Sequence, residues 1–374
     1  MKLKRLSGGP NRGSKSGPTS GPNTARGLQG FTLVELMVGL AVGLFVAVAA
    51  ISIFVSTRTL QTVSSSGTRM SENSRLAMDL LNKDLRSAGF LGCRSRIADV
   101  PVNLLVAGNS RFLDTANNLA GIRGSRGDGG AFLPALNATL AALAPNANSD
   151  FLSVRVPVEP LSLGLSVPMT SASGTPQVFA AVPGNNLVSG AIVLIANCKA
   201  GAVFQVTEAD PKATGALAHA QGGGFDPGNV AGGDLGHTFR GDTAVYRLQT
   251  NHYYIAPGTH AGTNSMWRLS FPNPDNPLIP PVAEEAVQGI DRMVVSYGLD
   301  SSGTQTVGKY VTADAVTSWD EVMAVRVQLL SSTVRDGVAL SAQSASFAGS
   351  TVVATDRRLR TQVTQVVTLR SRAP

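Results

Sequence analysis

The chain places one carboxylate where a carboxylate is expensive. Glu35 lies five residues into the run GFTLVELMVGLAVGLFVAVAAISIFV, and residues 31–55 contain no Lys, Arg, Pro or Asn. An acid deep in a membrane helix costs about 2.5–3.5 kcal/mol on insertion scales. Near the start of a helix the side chain can reach toward the interface, and a helix N-terminus favours an anion. The alternative is that Glu35 pairs with a positive group, such as a free amine, once this helix packs against another. Gly39, Gly43 and Ala47 recur at every fourth residue. Such a stripe of small residues lets a second helix approach closely, although simple apolar filler gives the same pattern.

The remaining chemistry-bearing residues do not assemble into a motif. Four histidines, His219, His237, His252 and His260, lack the i,i+4 spacing and the neighbouring acid of a zinc helix. Asp226 and Asp234 share a glycine-rich stretch, but two carboxylates are too few oxygen ligands for calcium. The RGD at 126–128 sits among glycines, where chance explains it. There is no GxSxG, phosphate loop or dinucleotide fingerprint. No catalytic residue, cofactor or metal is therefore expected. Cys93 and Cys198 are 105 residues apart, with no CxxC. In an oxidising compartment they would most simply pair, closing a loop worth about 4–5 kcal/mol in the chain-entropy model; two unrelated buried thiols are the alternative.

These residues need elements to hold them, and the charge distribution says where the elements lie. The net charge of +7 is concentrated at one end: Lys2, Lys4, Arg5, Arg12, Lys15 and Arg26 precede Phe31 with no acid among them. The rest of the chain carries 25 basic and 24 acidic residues, so no nucleic-acid-binding body is expected. Positive charge before an apolar run keeps that end inside and sends the remainder outward. As a helix, residues 31–55 would span about 37 Å, enough for a hydrocarbon core of about 30 Å. A secretory signal has a shorter apolar core followed by a cleavage site of small residues.

No proline occurs between Phe31 and Val100, so the helix is expected to continue to Ala88 and stop at Gly89. Leu76, Ala77, Leu80, Leu81 and Leu85 keep helical spacing, with Arg75, Asp79 and Lys83 on another face. The SSSGT at 64–68 predicts a bend or fraying. Strands are expected at 151–158, 191–198, 202–209, 243–256, 266–271, 292–300, 322–332 and 362–372. Val154/Val156/Val158 and Val325/Val327/Leu329 alternate with polar residues, as in a sheet with one buried face. AEEAVQGI at 283–290 reads as a helical turn before a strand. Segments 107–149, 211–240 and 256–281 lack pattern and are expected to be surface loops.

With Gly30, Phe31 and Glu35 so spaced before an apolar helix, GFTLVEL resembles the class III signal of type IV pilins and pseudopilins. RLAMDLLNKDLRSAGFLGC, with Gly89, Phe90, Gly92 and Cys93 in its terminal turn, is similar to the corresponding segment of the PilW family of minor pilins. SDFLSVR, CKAGAVFQVTE, AVYRLQTNHYYI, EAVQGIDRMVVSYGLD and WDEVMAVRVQLL follow in that family's order. The 30-residue leader is longer than is usual there; it is either an extended leader or one whose true start lies downstream.

The resemblance implies an α+β fold: a long N-terminal spine helix, membrane-crossing in its first half, on an exported antiparallel β-rich head. It implies a leader at 1–30 that prepilin peptidase removes, an assembly helix at 31–55, an amphipathic continuation at 56–90 and a head at 91–374. Cleavage would fall between Gly30 and Phe31, with methylation of Phe31. Glu35 would pair with the N-terminal amine of a neighbouring subunit. Phe151, Phe204, Tyr246, Tyr297 and Trp319 would be packing residues.

The expected function is that of an inner-membrane minor pilin that primes pilus assembly. Its partners would be prepilin peptidase, other minor pilins, the major pilin and the inner membrane, with no direct nucleic acid. Twitching motility would be a consequence of the whole fibre. A minor pseudopilin of a type II secretion system is the nearest alternative. An anchored enzyme or ligand-binding protein would need a site in the head that the sequence does not supply.

Overall fold

The computed structural model describes residues 30–92, 102–106, 111–113, 120–161, 186–221, 224–239, 243–273, 276–300 and 303–370. The long helix α1 runs Leu33–Ser87 without interruption. The chain divides into two compact units after Arg58.

In the first unit α1 begins with a cap. Thr32 Oγ1 accepts a hydrogen bond from the Glu35 amide at 3.2 Å, and the Leu36 amide donates to the Thr32 carbonyl at 3.1 Å. Thr32 and Glu35 thus have the spacing of a capping box, in which a hydroxyl satisfies an otherwise open helix amide. The hydroxyls of Ser52 and Thr57 donate back to the carbonyls of Ala49 and Ile53, each at 2.8 Å, so neither is left bare on an apolar helix. Every residue from Gly30 to Arg58 is exposed. By length and composition the helix could cross a membrane.

The second unit contains the rest of α1 and the β structure. The fraying predicted at 64–68 does not occur. Thr68 and Ser65 donate their hydroxyls to the carbonyls of Ser64 and Thr62, and so stay within the helix as poor formers often do. Gly89 follows the helix at φ +66°, the left-handed conformation that ends helices and favours glycine. Of the expected apolar face, Ala77, Leu81 and Leu85 are buried and Leu80 partly so, whereas Leu76 is exposed and Met78 takes its place in the buried stripe.

After α1 come β1 (Val102–Asn103), β2 (Ile122–Gly127), β3 (Phe132–Leu133), α2 (Ala138–Ala141), β4 (Phe151–Leu161), β5 (Ile192–Ala196), β6 (Gly201–Gln205) and α3 (Pro211–Thr214). Then follow β7 (Ala244–Pro257), β8 (Asn264–Phe271), β9 (Glu284–Gln288), β10 (Ile290–Leu299), β11 (Lys309–Val311) and β12 (Val322–Ser332). The last three are β13 (Ala345–Phe347), β14 (Ser350–Val352) and β15 (Arg360–Thr368). One sheet has nine strands, ordered β1-β6-β5-β7-β4-β2-β3, with β8 beside β7 and β9 beside β8. The 14-residue β7 organises it, pairing with β4 along one edge and with β5 and then β8 along the other. A second sheet is ordered β11-β10-β12-β15, and β13-β14 form a separate hairpin. All pairings are antiparallel except β1 with β6.

The largest core joins both sheets to α1. Ala77, Leu81 and Leu85 share it with Leu152, Val154, Tyr253, Val295, Tyr297, Val325, Val327 and Val367. Of the five expected packing residues, Phe151, Phe204 and Tyr297 are buried, and Tyr246 and Trp319 are partly buried against core clusters.

Two expectations need correction. The helical turn at 283–290 is strand β9, which pairs with β8 from Ser265↔Gln288 to Arg268↔Glu284. Glu285 accepts from Ser265 Oγ at 2.6 Å and Val287 is buried, so cross-strand partners override local helix preference. The three segments expected to be surface loops are structured as well: 211–240 contains α3 and the buried Leu217, Leu235 and Phe239, 256–281 contains β8, and 107–149 contains β2, β3 and α2. Here Gly124 explains the missing pattern: a Cβ built on it would lie 1.9 Å from the Tyr297 hydroxyl. The strand gives up a side chain so that an aromatic ring can lie across it.

Candidate functional site

The predicted processing and assembly residues all lie in the first unit. Gly30 and Phe31 precede the helix, and Phe31 is 81% exposed. Glu35 is in the first turn, and its carboxylate has no partner among the described residues. Nothing comes within 4 Å of a Cβ built on Gly39 or Gly43. Ala47 is exposed as well. A four-residue step turns about 40° beyond a full helical turn, so the three small residues form one slowly winding stripe. The large apolar side chains around it are uncovered: Leu36, Leu40, Leu44 and Phe45 are all exposed. The arrangement can accept another helix or lipid along its length, and it presents one acid near its start.

The second unit holds a different acid on the same helix, one that sequence reasoning missed. Asp84 is 7% exposed. Its Oδ2 accepts from Tyr253 Oη at 2.6 Å and from Asn251 Nδ2 at 2.5 Å. Asn251 Oδ1 in turn accepts from Gln249 Nε2 at 2.6 Å and Ser270 Oγ at 2.8 Å. Burial, and then the Asp84 charge, push the Tyr253 phenol well above its usual range, so it remains a donor. The network locks α1 to β7 and β8. Its signal was available, since Asp84 falls on the apolar face between Leu81 and Leu85.

The other sequence candidates prove to be separate fittings. His252 is buried, with Nδ1 2.8 Å from Ser153 Oγ and Nε2 2.8 Å from the Arg111 carbonyl. A carbonyl only accepts, so Nε2 carries the proton and Nδ1 accepts from Ser153. Burial lowers the His252 pKa to about 4, which keeps the ring neutral. Burial also lowers that of His219, whose ring lies against Phe204. His237 meets Phe239 edge-on, and His260 lies in an exposed turn. The Asp226 carbonyl accepts from Gln205, whereas Asp234 accepts from the Gly236 amide. Within the RGD, Arg126 pairs with Asp314 at 3.2 Å and Asp128 holds the turn through the amides of Gly130 and Ala131. Among the described residues no three His, Cys, Asp or Glu side chains cluster as metal ligands.

Cys198 sits in the turn between β5 and β6; Cys93 lies outside the described residues. A Cβ built on Gly92 would lie 2.8 Å from Ala196 Cβ, so the residue preceding Cys93 adjoins the strand that leads into Cys198.

The head holds one further buried acid. Asp150 accepts from the amides of Gly127 at 3.1 Å and Val295 at 2.7 Å, tying β2 to β10. Burial raises its pKa to about 6 despite those two donors.

Comparison with known families gives two matches. Residues 26–51 match the prokaryotic N-terminal methylation motif. Residues 252–371 match type IV pilus-assembly protein W, a span that opens within β7 and takes in β8 through β15. No significant match was found among curated proteins or solved structures.

Proposed function

We propose that this chain, a PilW-family prepilin-type pilin on its two family matches, is a minor pilin that helps initiate assembly of the type IV pilus. It acts structurally, in a priming complex with other minor pilins, and carries no enzymatic activity. Prepilin peptidase removes residues 1–30, and Phe31 becomes the methylated first residue. Residues 31–55 cross the inner membrane from a cytoplasmic N-terminus, 56–90 continue the spine, and 91–374 form the exported head. Cys93 and Cys198 pair after export.

The observation that carries this reading is the exposed first part of α1. Among the described residues it offers a Glu35 carboxylate without a partner and an exposed Gly39/Gly43/Ala47 stripe. Within a bundle of such helices, the Glu35 carboxylate would meet the Phe31 amine of an adjacent subunit. Two opposite charges in a low-dielectric surrounding attract far more strongly than they do in water. A minor pseudopilin of a type II secretion system would carry the same N-terminal helix. The match of residues 252–371 to a pilus-assembly protein favours the pilus.

The test is the N-terminal mass of the chain expressed with and without prepilin peptidase. The expected product begins at Phe31 and carries one added methyl group, only when the peptidase is present. An uncut chain, or one cut beyond the apolar run, would overturn the reading.

A further inference from the structure

We propose that the outer edge of β15 is a docking strand, which an extended, uncharged segment of a different pilin head joins as the next strand of the sheet. The inference rests on the priming-complex reading above. Sheet edges are open hydrogen-bonding templates, and folded chains usually shorten them, charge them or interrupt them with proline.

The register identifies which groups are open. The Thr333 amide donates to the Leu359 carbonyl at 3.0 Å, and the Leu369 amide to the Met323 carbonyl at 2.9 Å. The pairing between these points is regular, from Ser332↔Arg360 to Ala324↔Thr368, without a bulge. In an antiparallel ladder, alternate residues turn their amide and carbonyl toward the partner strand. The odd-numbered residues Thr361, Val363, Gln365 and Val367 therefore bond to β12. Gln362, Thr364, Val366 and Thr368 turn theirs outward, and among the described residues those backbone groups have no partner. All four residues are exposed.

The other edges are guarded. β1 and β3 have two residues each, and β11 has three and begins with Lys309. β9 carries Glu284 and Glu285, and the part of β4 beyond its pairing with β2 contains Pro157 and Pro160. β15 has nine residues, with no charge from Thr361 to Thr368, no proline and no bulge. That is the feature set of a strand that accepts another strand, with main-chain bonds supplying affinity.

The absence of charge calls for an uncharged partner. The partner is also a different head. Two copies joining β15 to β15 antiparallel are related by a two-fold axis perpendicular to the sheet, which reverses the Ala77–Leu85 part of α1 packed on it. Membrane-rooted helices of one complex must run the same way.

Hydrogen exchange at single-amide resolution tests this on the full chain in detergent, alone and co-purified with the other minor pilins of its own system. In the complex, the amides of Gln362, Thr364, Val366 and Thr368 should slow at least about tenfold, while those of Val363, Gln365 and Val367 are slow in both samples. A complex that forms with the four amides still fast overturns the docking strand and leaves the priming reading intact. Failure of any complex to form overturns the priming reading, and this inference with it. Slowing that grows with concentration of the chain alone indicates self-pairing and overturns the choice of partner. Val366→Pro removes no ladder bond, and it should weaken the complex at least about tenfold while leaving head unfolding unchanged. Thr364→Lys serves the same purpose if the proline disturbs the strand. Full binding by a folded variant overturns the proposal.

Discussion

Glu35 and Asp84 are two acids on one helix, and they have been given opposite circumstances. Asp84 is buried, yet it has two donors and a second tier of side chains behind them. Glu35 is exposed among apolar side chains and, among the described residues, its carboxylate has no partner. A buried charge is tolerated when its neighbours are in place; removing them leaves a large penalty. The head is therefore internally complete around Asp84, whereas the first part of α1 is complete only in company. A helix that is apolar on all sides is stable in lipid or inside a bundle, not in water.

The widest separation between the two acids should appear on substitution. Glu35→Ala is expected to be cleaved and methylated and to leave head unfolding unchanged within about 0.5 kcal/mol, the range of surface changes. Piliation should nevertheless be lost. Electron microscopy of the mutant provides the check, and normal fibres would remove Glu35 from the assembly contact.

Asp84→Ala should do the reverse in kind, at smaller scale. It strands the Tyr253 hydroxyl and the Asn251 amide in the core, at a cost of about 3 kcal/mol. Denaturant unfolding of the chain in detergent measures this. Tyr253→Phe should cost less, about 1–2 kcal/mol, and the double variant less than the sum. Additive effects would mean that the two side chains are not coupled.

The third test concerns titration inside the head, where two buried groups make nearly cancelling contributions. Between pH 4 and 6 the native state holds a proton on Asp150 that the unfolded chain releases, so this group makes stability fall as pH rises. Over nearly the same window the unfolded chain holds a proton that buried His252 does not, so stability rises with pH. Each contributes about 3 kcal/mol across its window, with opposite sign. Asp150→Asn should expose the rising slope and His252→Gln the falling one, read as differences from wild type in unfolding free energy at pH 4 and pH 6. Parallel profiles in all three proteins would show that neither group titrates as its burial requires.

Much of the architecture was legible because burial writes periodicity. The alternation in β12 and the three-to-four spacing of Ala77, Leu81 and Leu85 each marked a face, whereas in β4 Ser153 and Arg155 are buried along with Val154 and Val156, so its alternation did not mark a solvated side. What stayed hidden depended on partners distant in sequence. β9 reads as helix because Glu284, Glu285 and Ala286 are good helix formers locally; β8, across a turn, makes them a strand. β2 reads as nothing because its central glycine answers to Tyr297. The apolar helix and Glu35 could be read directly, since their environment is made by neighbouring residues alone. Asp84 was visible as an acid on a greasy face, but its donors on β7 were not.

The close approach at the end of α1 limits how related heads can diverge. A Cβ built on Gly121 would lie 2.3 Å from the Gly89 amide nitrogen and 2.7 Å from its Cα. The obstruction is main chain. At Gly124 the obstruction is the Tyr297 side chain, whose Cζ also lies 2.7 Å from a built Cβ, so a change there can be matched by a smaller residue at 297. No substitution at position 89 makes room for a side chain at 121. The outward faces of the strands can drift independently, but this pair has no compensating route. Across diverged heads, the two glycines are expected to serve as a landmark from which both the end of the spine and the start of the sheet can be counted.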